Sequence, residues 1–178
     1  MPGGFRRLSE EVVHTGPVIS VTSGRYETPD GDTVEREAVR HPGAVVVVPL
    51  DGDEVVMIRQ YRAPIDAEIL EIPAGKRDVE GEPPEVTAAR ELAEEIGATA
   101  ASLVPLCVFH NSPGFCDELS HLFLATGLTF GEADLQGAEE RHMTIERVPL
   151  ASVPNMIEEG EISDGKSIIG LLLTLGRV

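Results

Sequence analysis

The apolar positions of this chain fall into short runs of strand length, punctuated by glycine, proline and aspartate, with three stretches of helical spacing among them. Val18 to Thr22 and Thr33 to Val39 flank the turn residues Pro29-Asp30-Gly31-Asp32, which predicts antiparallel strands within the first 40 residues. After His41-Pro42-Gly43, the unbroken run Ala44 to Val48 suits a central strand, and Asp51-Gly52 turns it into a hairpin partner, Glu54 to Gln60. Glu68 to Pro73 reads as a short strand leading into Ala74-Gly75. Leu103 to His110 and Glu118 to Ala125 read as strands separated by the loop Asn111 to Phe115, with Ile145 to Val148 as a last strand. Helical spacing over about Ser152 to Glu159 and Gly165 to Leu175 closes the chain. This alternation predicts an α/β fold, a mixed sheet with helices on its faces. Residues 1–40 form a small β subdomain that scarcely buries a core alone, and residues 41–178 form the main domain.

The third helical stretch starts near Pro83-Pro84 and stops at Gly97. Its second half reads Arg90-Glu91-Leu92-Ala93-Glu94-Glu95-Ile96. At 100° per residue, Glu91, Glu94 and Glu95 share an arc of roughly 100°. Val86, Ala89, Leu92, Ala93 and Ile96 fill the opposite arc, which predicts a buried apolar face and an acidic face opposite it. Like charges at i,i+4 destabilise an isolated helix by about 0.2–0.5 kcal/mol per pair. Two readings stand at this point: a solvated charged surface, or an oxygen-rich array for a hard divalent cation such as Mg²⁺.

Composition narrows the classes of partner. The chain has 178 residues, 42% of them hydrophobic, enough for one domain with a proper core. No run of 18 apolar residues occurs, so no membrane partner is expected. The N-terminal Met1 to Arg7 lacks an apolar signal segment, and Cys107 and Cys116 make no disulfide framework, so a cytoplasmic protein is expected. A net charge of −17 argues against nucleic acid. It leaves a phosphorylated small molecule open, because a cation can bridge carboxylates to phosphates. The five histidines show no metal-ligand spacing.

Set in order, the chemistry-bearing residues are Gly75, six residues, Glu82, seven residues, Arg90-Glu91-Leu92, one residue, Glu94-Glu95, one residue, then Gly97-Ala98. This series closely resembles the Nudix box, a much longer match than a lone glycine motif. The usual box has five residues between its Gly and first Glu, and the sixth here is expected in the loop Lys76 to Gly81. The likeness extends to the ADP-ribose pyrophosphatase branch of the family. Val55 to Arg62 with Ala63-Pro64, then Leu70-Glu71-Ile72-Pro73-Ala74-Gly75, is similar to that branch's strand and approach to the box. Ser112-Pro113-Gly114 with Glu118 is similar to its substrate loop, and Pro113 lies 15 residues past Ala98, about where the branch carries a marker proline. The resemblance covers roughly residues 36 to 175.

It implies a Nudix-type α/β/α sandwich with a mixed sheet, a small antiparallel β subdomain ahead of it, and a homodimer through those N-terminal strands. It implies Mg²⁺, with Mn²⁺ as a substitute, held by Glu91, Glu94, Glu95 and the backbone carbonyl of Ala74. An Arg90–Glu94 pair at i,i+4 would steady the array. The reaction implied is hydrolysis of ADP-ribose to AMP and ribose 5-phosphate. Arg62 is the first candidate for the diphosphate, with Arg36 and Arg59 behind it. Glu71, Pro113, Gly114 and Glu118 are further substrate contacts, Glu118 for the terminal ribose, and Tyr61 or Phe5 would stack on adenine. The general base is expected in the loop Gly131 to Arg141, at Glu139 with Glu140 beside it, while Glu95 belongs to the catalytic set. The alternatives are another nucleoside diphosphate sugar or an oxidised nucleotide as substrate, and a non-catalytic ADP-ribose-sensing module.

Overall fold

The structure is a computed structural model that describes residues 4–135, 137 and 140–177. By its internal contacts the chain divides into two compact units. One comprises Met1–Gly43 with His110–Leu119, the other Ala44–Phe109 with Ser120–Val178.

The first unit is a three-stranded antiparallel sheet, β1 (Arg6–Thr15), β2 (Ser20–Glu27) and β3 (Thr33–Arg40), in that order. The loop 110–119 belongs to this unit through backbone bonds. Val39 N–H donates to Phe115 O at 2.7 Å, and Asp117 N–H donates to Val39 O at 3.1 Å. The Asp117 carboxylate also accepts from His41 N–H at 2.9 Å. Every residue of β1 is exposed, Val12 and Val13 included, so this edge strand has no buried face.

The second unit carries a seven-stranded mixed sheet. Its strands are β4 (Ala44–Asp51), β5 (Glu54–Arg62), β6 (Ala67–Glu71), β7 (Ala74–Lys76), β8 (Ala98–His110), β9 (Leu119–Phe130) and β10 (Thr144–Pro149). The main path runs β10-β5-β4-β9-β8, with β6 paired to β5 and β7 to β4. β4 and β9 run parallel, Val46 opposite Leu122, while β5 and β7 lie antiparallel to β4. β4 reads as continuous valine because both its faces are buried. Val46 and Val48 join Met57, Leu70, Ile72 and Leu122 in one core layer, and Val45 and Val47 join Val56, Ile58 and Phe123 in the other.

Helices α1 (Pro84–Ile96), α2 (Val153–Glu158) and α3 (Gly165–Leu175) complete the unit. α1 covers the Val45 layer with Ala88, Leu92 and Ile96, and α3 covers the Val46 layer with Leu171. Helices on both faces of one sheet make the expected sandwich. At Gly170 of α3 a Cβ would lie 2.9 Å from both Ile72 Cδ1 and Val48 Cγ2, so glycine sets how closely that helix seats. α1 ends at Gly97 in the left-handed conformation, φ 63°, its N–H bonded to Ala93 O and Leu92 O.

Candidate active site

Helix α1 carries its acids inward, and this corrects the predicted division of its faces. Glu95 is 5% exposed, in the buried set with Thr87, Ala88, Leu92 and Ile96, whereas Val86 is 49% exposed and Ala89 is exposed too. The reason lies in the strand beneath. β7 pairs with β4, Gly75 opposite Val45 and Ala74 opposite Val46. Ala74 N–H donates to Glu95 Oε2 at 3.0 Å. At Gly75 a Cβ would lie 1.8 Å from Glu91 Cδ and 2.2 Å from each of its oxygens. The carboxylate of Glu91 therefore occupies the volume that any other residue at 75 would fill. A backbone donor aimed at the helix and a missing side chain together create a place for two carboxylates, which simple helical periodicity does not register.

Both carboxyls are held well above their ordinary range. Burial pushes Glu91 up to about 7, against the pull of Arg90 and with a further push from Glu94. Burial pushes Glu95 up to about 8, reinforced by the charge of Glu91 and opposed by the Ala74 N–H; Glu140 adds to the rise and Arg62 subtracts. A carboxyl with a higher pKa folded than unfolded binds its proton more tightly in the native state. Its contribution to stability is fully present below the unfolded value of 4.5 and is lost as pH rises through about 8. In the presence of a chelator, raising the pH from 5 to 9 should therefore lower stability by about 3 kcal/mol, roughly 6–12 °C in Tm. Millimolar Mg²⁺ should recover most of that loss. A flat Tm profile by calorimetry in chelator would contradict this.

Arg90 organises the outer side of the array. Its Nη1 lies 2.9 Å from both Glu91 and Glu94, and its Nη2 lies 3.7 Å from Asp78 and Glu82. The predicted i,i+4 pair with Glu94 is therefore present within a larger cluster. Glu82 accepts from Thr87 Oγ1–H at 2.7 Å, which fixes it over the first turn of α1. The extra residue of the preceding loop is absorbed in a turn at Gly81, φ 77°, closed by Glu82 N–H to Val79 O.

Beside this array stands Glu71, 2% exposed at the end of β6. Its Oε2 accepts from Gln60 Nε2 at 3.0 Å and from Arg62 Nε at 2.8 Å, with Arg62 Nη2 also at 2.8 Å. Its Oε1 faces Lys166 Nζ at 3.8 Å. Lys166 donates to Asp164 at 2.6 Å, and Asp164 caps α3 by accepting from Ser167 N–H and Oγ–H. Burial tends to raise Asp164, yet Lys166 and the Ser167 bonds hold it below the usual carboxylate range. Gln60, Asp164, Lys166 and Ser167 escaped the sequence reading. The only local signal was an N-cap Asp before an apolar helix, which says nothing about Glu71.

The remaining candidates are distributed as follows. Glu140 opens a short 3-10 turn, Glu140–His142, and accepts from Gly137 N–H at 3.0 Å. Its charge is felt at Glu95, as noted above. Glu139 lies outside the described residues. Arg59 is engaged across β5 and β10 by Glu146 at 2.6 Å, and Tyr61 OH donates to Asp66. Within the first unit, Arg36, Pro113 and Gly114 line one cavity of about 520 Å³ with the rings of Phe5, Tyr26 and Phe115. Glu118 lies 4.0 Å from His41 Nδ1 and is not among the cavity's lining residues.

The second-unit array fits a divalent cation. Glu91 and Glu95 both sit at low exposure, the charge of Glu91 disfavouring ionisation of Glu95 and that of Glu94 disfavouring ionisation of Glu91, and the Glu91 carboxylate lies against the bare backbone of Gly75. An all-oxygen set of this kind is what hard cations select. Among the described residues no group of three or more His, Cys, Asp or Glu side chains is drawn together as a metal site. The same residues also form no helix long and apolar enough to cross a membrane.

Comparison with known proteins identifies relatives of this chain. The family description "NUDIX domain" matches residues 39–168. The chain is 39% identical over 163 residues to the ADP-ribose pyrophosphatase of Bacillus subtilis (strain 168), covering 91% of this chain and 88% of that protein. It is 38% identical to the methanol dehydrogenase activator of Bacillus methanolicus, covering 93% and 90%. A crystal structure of an ADP compounds hydrolase superposes with a TM-score of 0.84 at 25% identity, covering 97% of this chain and 93% of the other.

Proposed function

Because this chain belongs to the Nudix family of hydrolases, we propose that it cleaves the diphosphate of ADP-ribose to AMP and ribose 5-phosphate, with Mg²⁺ as its cation and Mn²⁺ as a substitute. The observation that carries the hydrolytic reading is the pair Glu91 and Glu95, buried against Gly75 and the Ala74 amide. Likeness to the Bacillus subtilis enzyme supports the choice of substrate.

Glu91, Glu94, Glu95 and the Ala74 carbonyl are the residues that would hold the cation. Bound there, it would neutralise the diphosphate and bring a water towards hydroxide. Arg62, 38% exposed, offers a fixed guanidinium to a phosphate oxygen. The proton of the attacking water passes to a loop carboxylate. Glu140 is the described candidate, and Glu139 adjoins it in sequence.

The expected substrate profile is a kcat/KM for ADP-ribose at least tenfold above those for GDP-mannose and a nucleoside triphosphate, measured in parallel with Mg²⁺. Equal rates across that panel would favour a general nucleoside diphosphate hydrolase instead. Turnover of none of them would favour the sensing module.

The exposed edge strand β1 leaves its backbone and Leu8, Val12 and Val13 uncovered. Edge strands of this length call for a partner, so a second copy of the chain is proposed to cover it. Sedimentation should report two chains per particle, reduced to one by Val12→Lys with Val13→Lys. Cys107 and Cys116 are both free, which suits the cytoplasm, and cell fractionation checks that location.

A further inference from the structure

We propose that Lys166, in the first turn of α3, is a positioning residue that fixes the reach of Arg62, and with it the grip on a substrate diphosphate. The inference rests on the functional reading above for its substrate, though not for its geometry. Glu71 is the pivot. It is almost wholly buried, and Arg62 binds it through a single oxygen, Oε2, with both Nε and Nη2 at 2.8 Å. The same oxygen is shared by Gln60 at 3.0 Å.

An isolated buried carboxylate and a guanidinium ordinarily settle into a two-oxygen fork, which satisfies both lone-pair directions at once. Here the second oxygen, Oε1, faces Lys166 Nζ at 3.8 Å. Lys166 is itself clamped by Asp164 at 2.6 Å and sits between two carboxylates of 2% and 10% side-chain exposure. The four groups Asp164, Lys166, Glu71 and Arg62 sum to zero charge, so none is left unbalanced in a buried setting. With Oε1 attended by Lys166, Arg62 engages one oxygen through one edge of its fork. Its side chain stays partly exposed, at 38%.

Taking away Lys166 leaves Oε1 without a cation. Arg62 should then swing to bridge both oxygens of Glu71, withdrawing into the protein and away from a phosphate. The anchor for this lysine is stiff. Asp164 accepts from Ser167 N–H at 2.9 Å and Oγ–H at 2.7 Å, and Ser167 Oγ accepts from Ile72 N–H at 2.9 Å, so the start of α3 is tied to the residue after Glu71.

The test is Lys166→Met in the full chain, with Lys166→Arg as rescue and Arg62→Gln as background. Lys166→Met should raise KM for ADP-ribose about tenfold and change kcat less than twofold, the signature of lost uniform binding. Lys166→Arg should return KM to within about twofold of the parent. In an Arg62→Gln background, Lys166→Met should change KM no further. A readout without substrate or cation is the Arg62 Nε–H resonance in ¹⁵N spectra, which should move in Lys166→Met and return in Lys166→Arg. An unmoved resonance would overturn the proposal, as would additive KM effects or a joint fall of kcat and KM. If the parent chain hydrolysed no ADP-ribose, the substrate reading would fail, and the Arg62 resonance would still decide the role of Lys166.

Discussion

Glu95→Gln should abolish most of the activity while making the cation-free protein more stable. Glutamine keeps the shape of the side chain, and its carbonyl still accepts the Ala74 N–H that now lies 3.0 Å from Glu95. The charge is what disappears. A cation then loses one of its anionic holders, and the expected fall in kcat is roughly 10³-fold, about 4 kcal/mol of transition-state stabilisation. At the same time Glu91 loses its buried like-charged neighbour, and Glu95 no longer has to be ionised at 5% exposure. At pH 8 in chelator the variant should melt above the parent by several degrees. Steady-state kinetics and calorimetry on the same preparation check both halves. Near-parent turnover with Mg²⁺ would remove Glu95 from the reaction; a lowered Tm in chelator would mean that the carboxylate is structural.

Gly75→Ala is the second large expected effect, and it needs no change of charge. A Cβ placed at 75 would stand 1.8 Å from Glu91 Cδ, far inside any tolerated contact, so one of the two must leave. The backbone is the more constrained party, because β7 is hydrogen-bonded to β4 on one side and its Ala74 amide to Glu95 on the other. The Glu91 carboxylate should therefore be expelled, with kcat/KM falling about 10²–10³-fold and stability changing by no more than about 1–3 kcal/mol. Gly176→Ala is the matched control: its Cβ would meet nothing closer than 3.8 Å. Kinetics on the two variants should separate them by at least two orders of magnitude. Equal activity would show that Glu91 can sit elsewhere and still function.

How much of this was legible in the chain depends on the reach of each interaction. The spacing of Glu91, Glu94 and Glu95, the stop at Gly97 and the double-buried valine run of β4 are local patterns, and each predicted its element. The strand β1 was not marked, because Arg6–Thr15 is exposed at every position and shows no alternation for a buried face to impose. The orientation of α1 was misread for a related reason. Val86 and Ala89 look like core residues by spacing, yet the room left at Gly75 and the donor at Ala74 draw the acids in and leave those two outside, while Leu92 and Ile96 of the same arc stay in the core. The Glu71 network was invisible because its members are assembled by contacts such as Ile72 to Ser167, 95 positions apart. No window along the sequence contains both.

The parallel pairing of β4 with β9 bears on how the chain emerges from the ribosome. β5 and β7 reach β4 within about 30 residues of synthesis, but the partner for Ala44 to Pro49 along its other edge is Ser120 to Ala125. At 5–20 residues per second, roughly 4–14 s pass between the two. During that interval a valine-rich strand with an open edge stands ready to pair with any neighbouring nascent chain. Slower translation between these segments should lower soluble yield, so the window for aggregation is set by codon choice across residues 50 to 119 as well as by the stability of the finished fold.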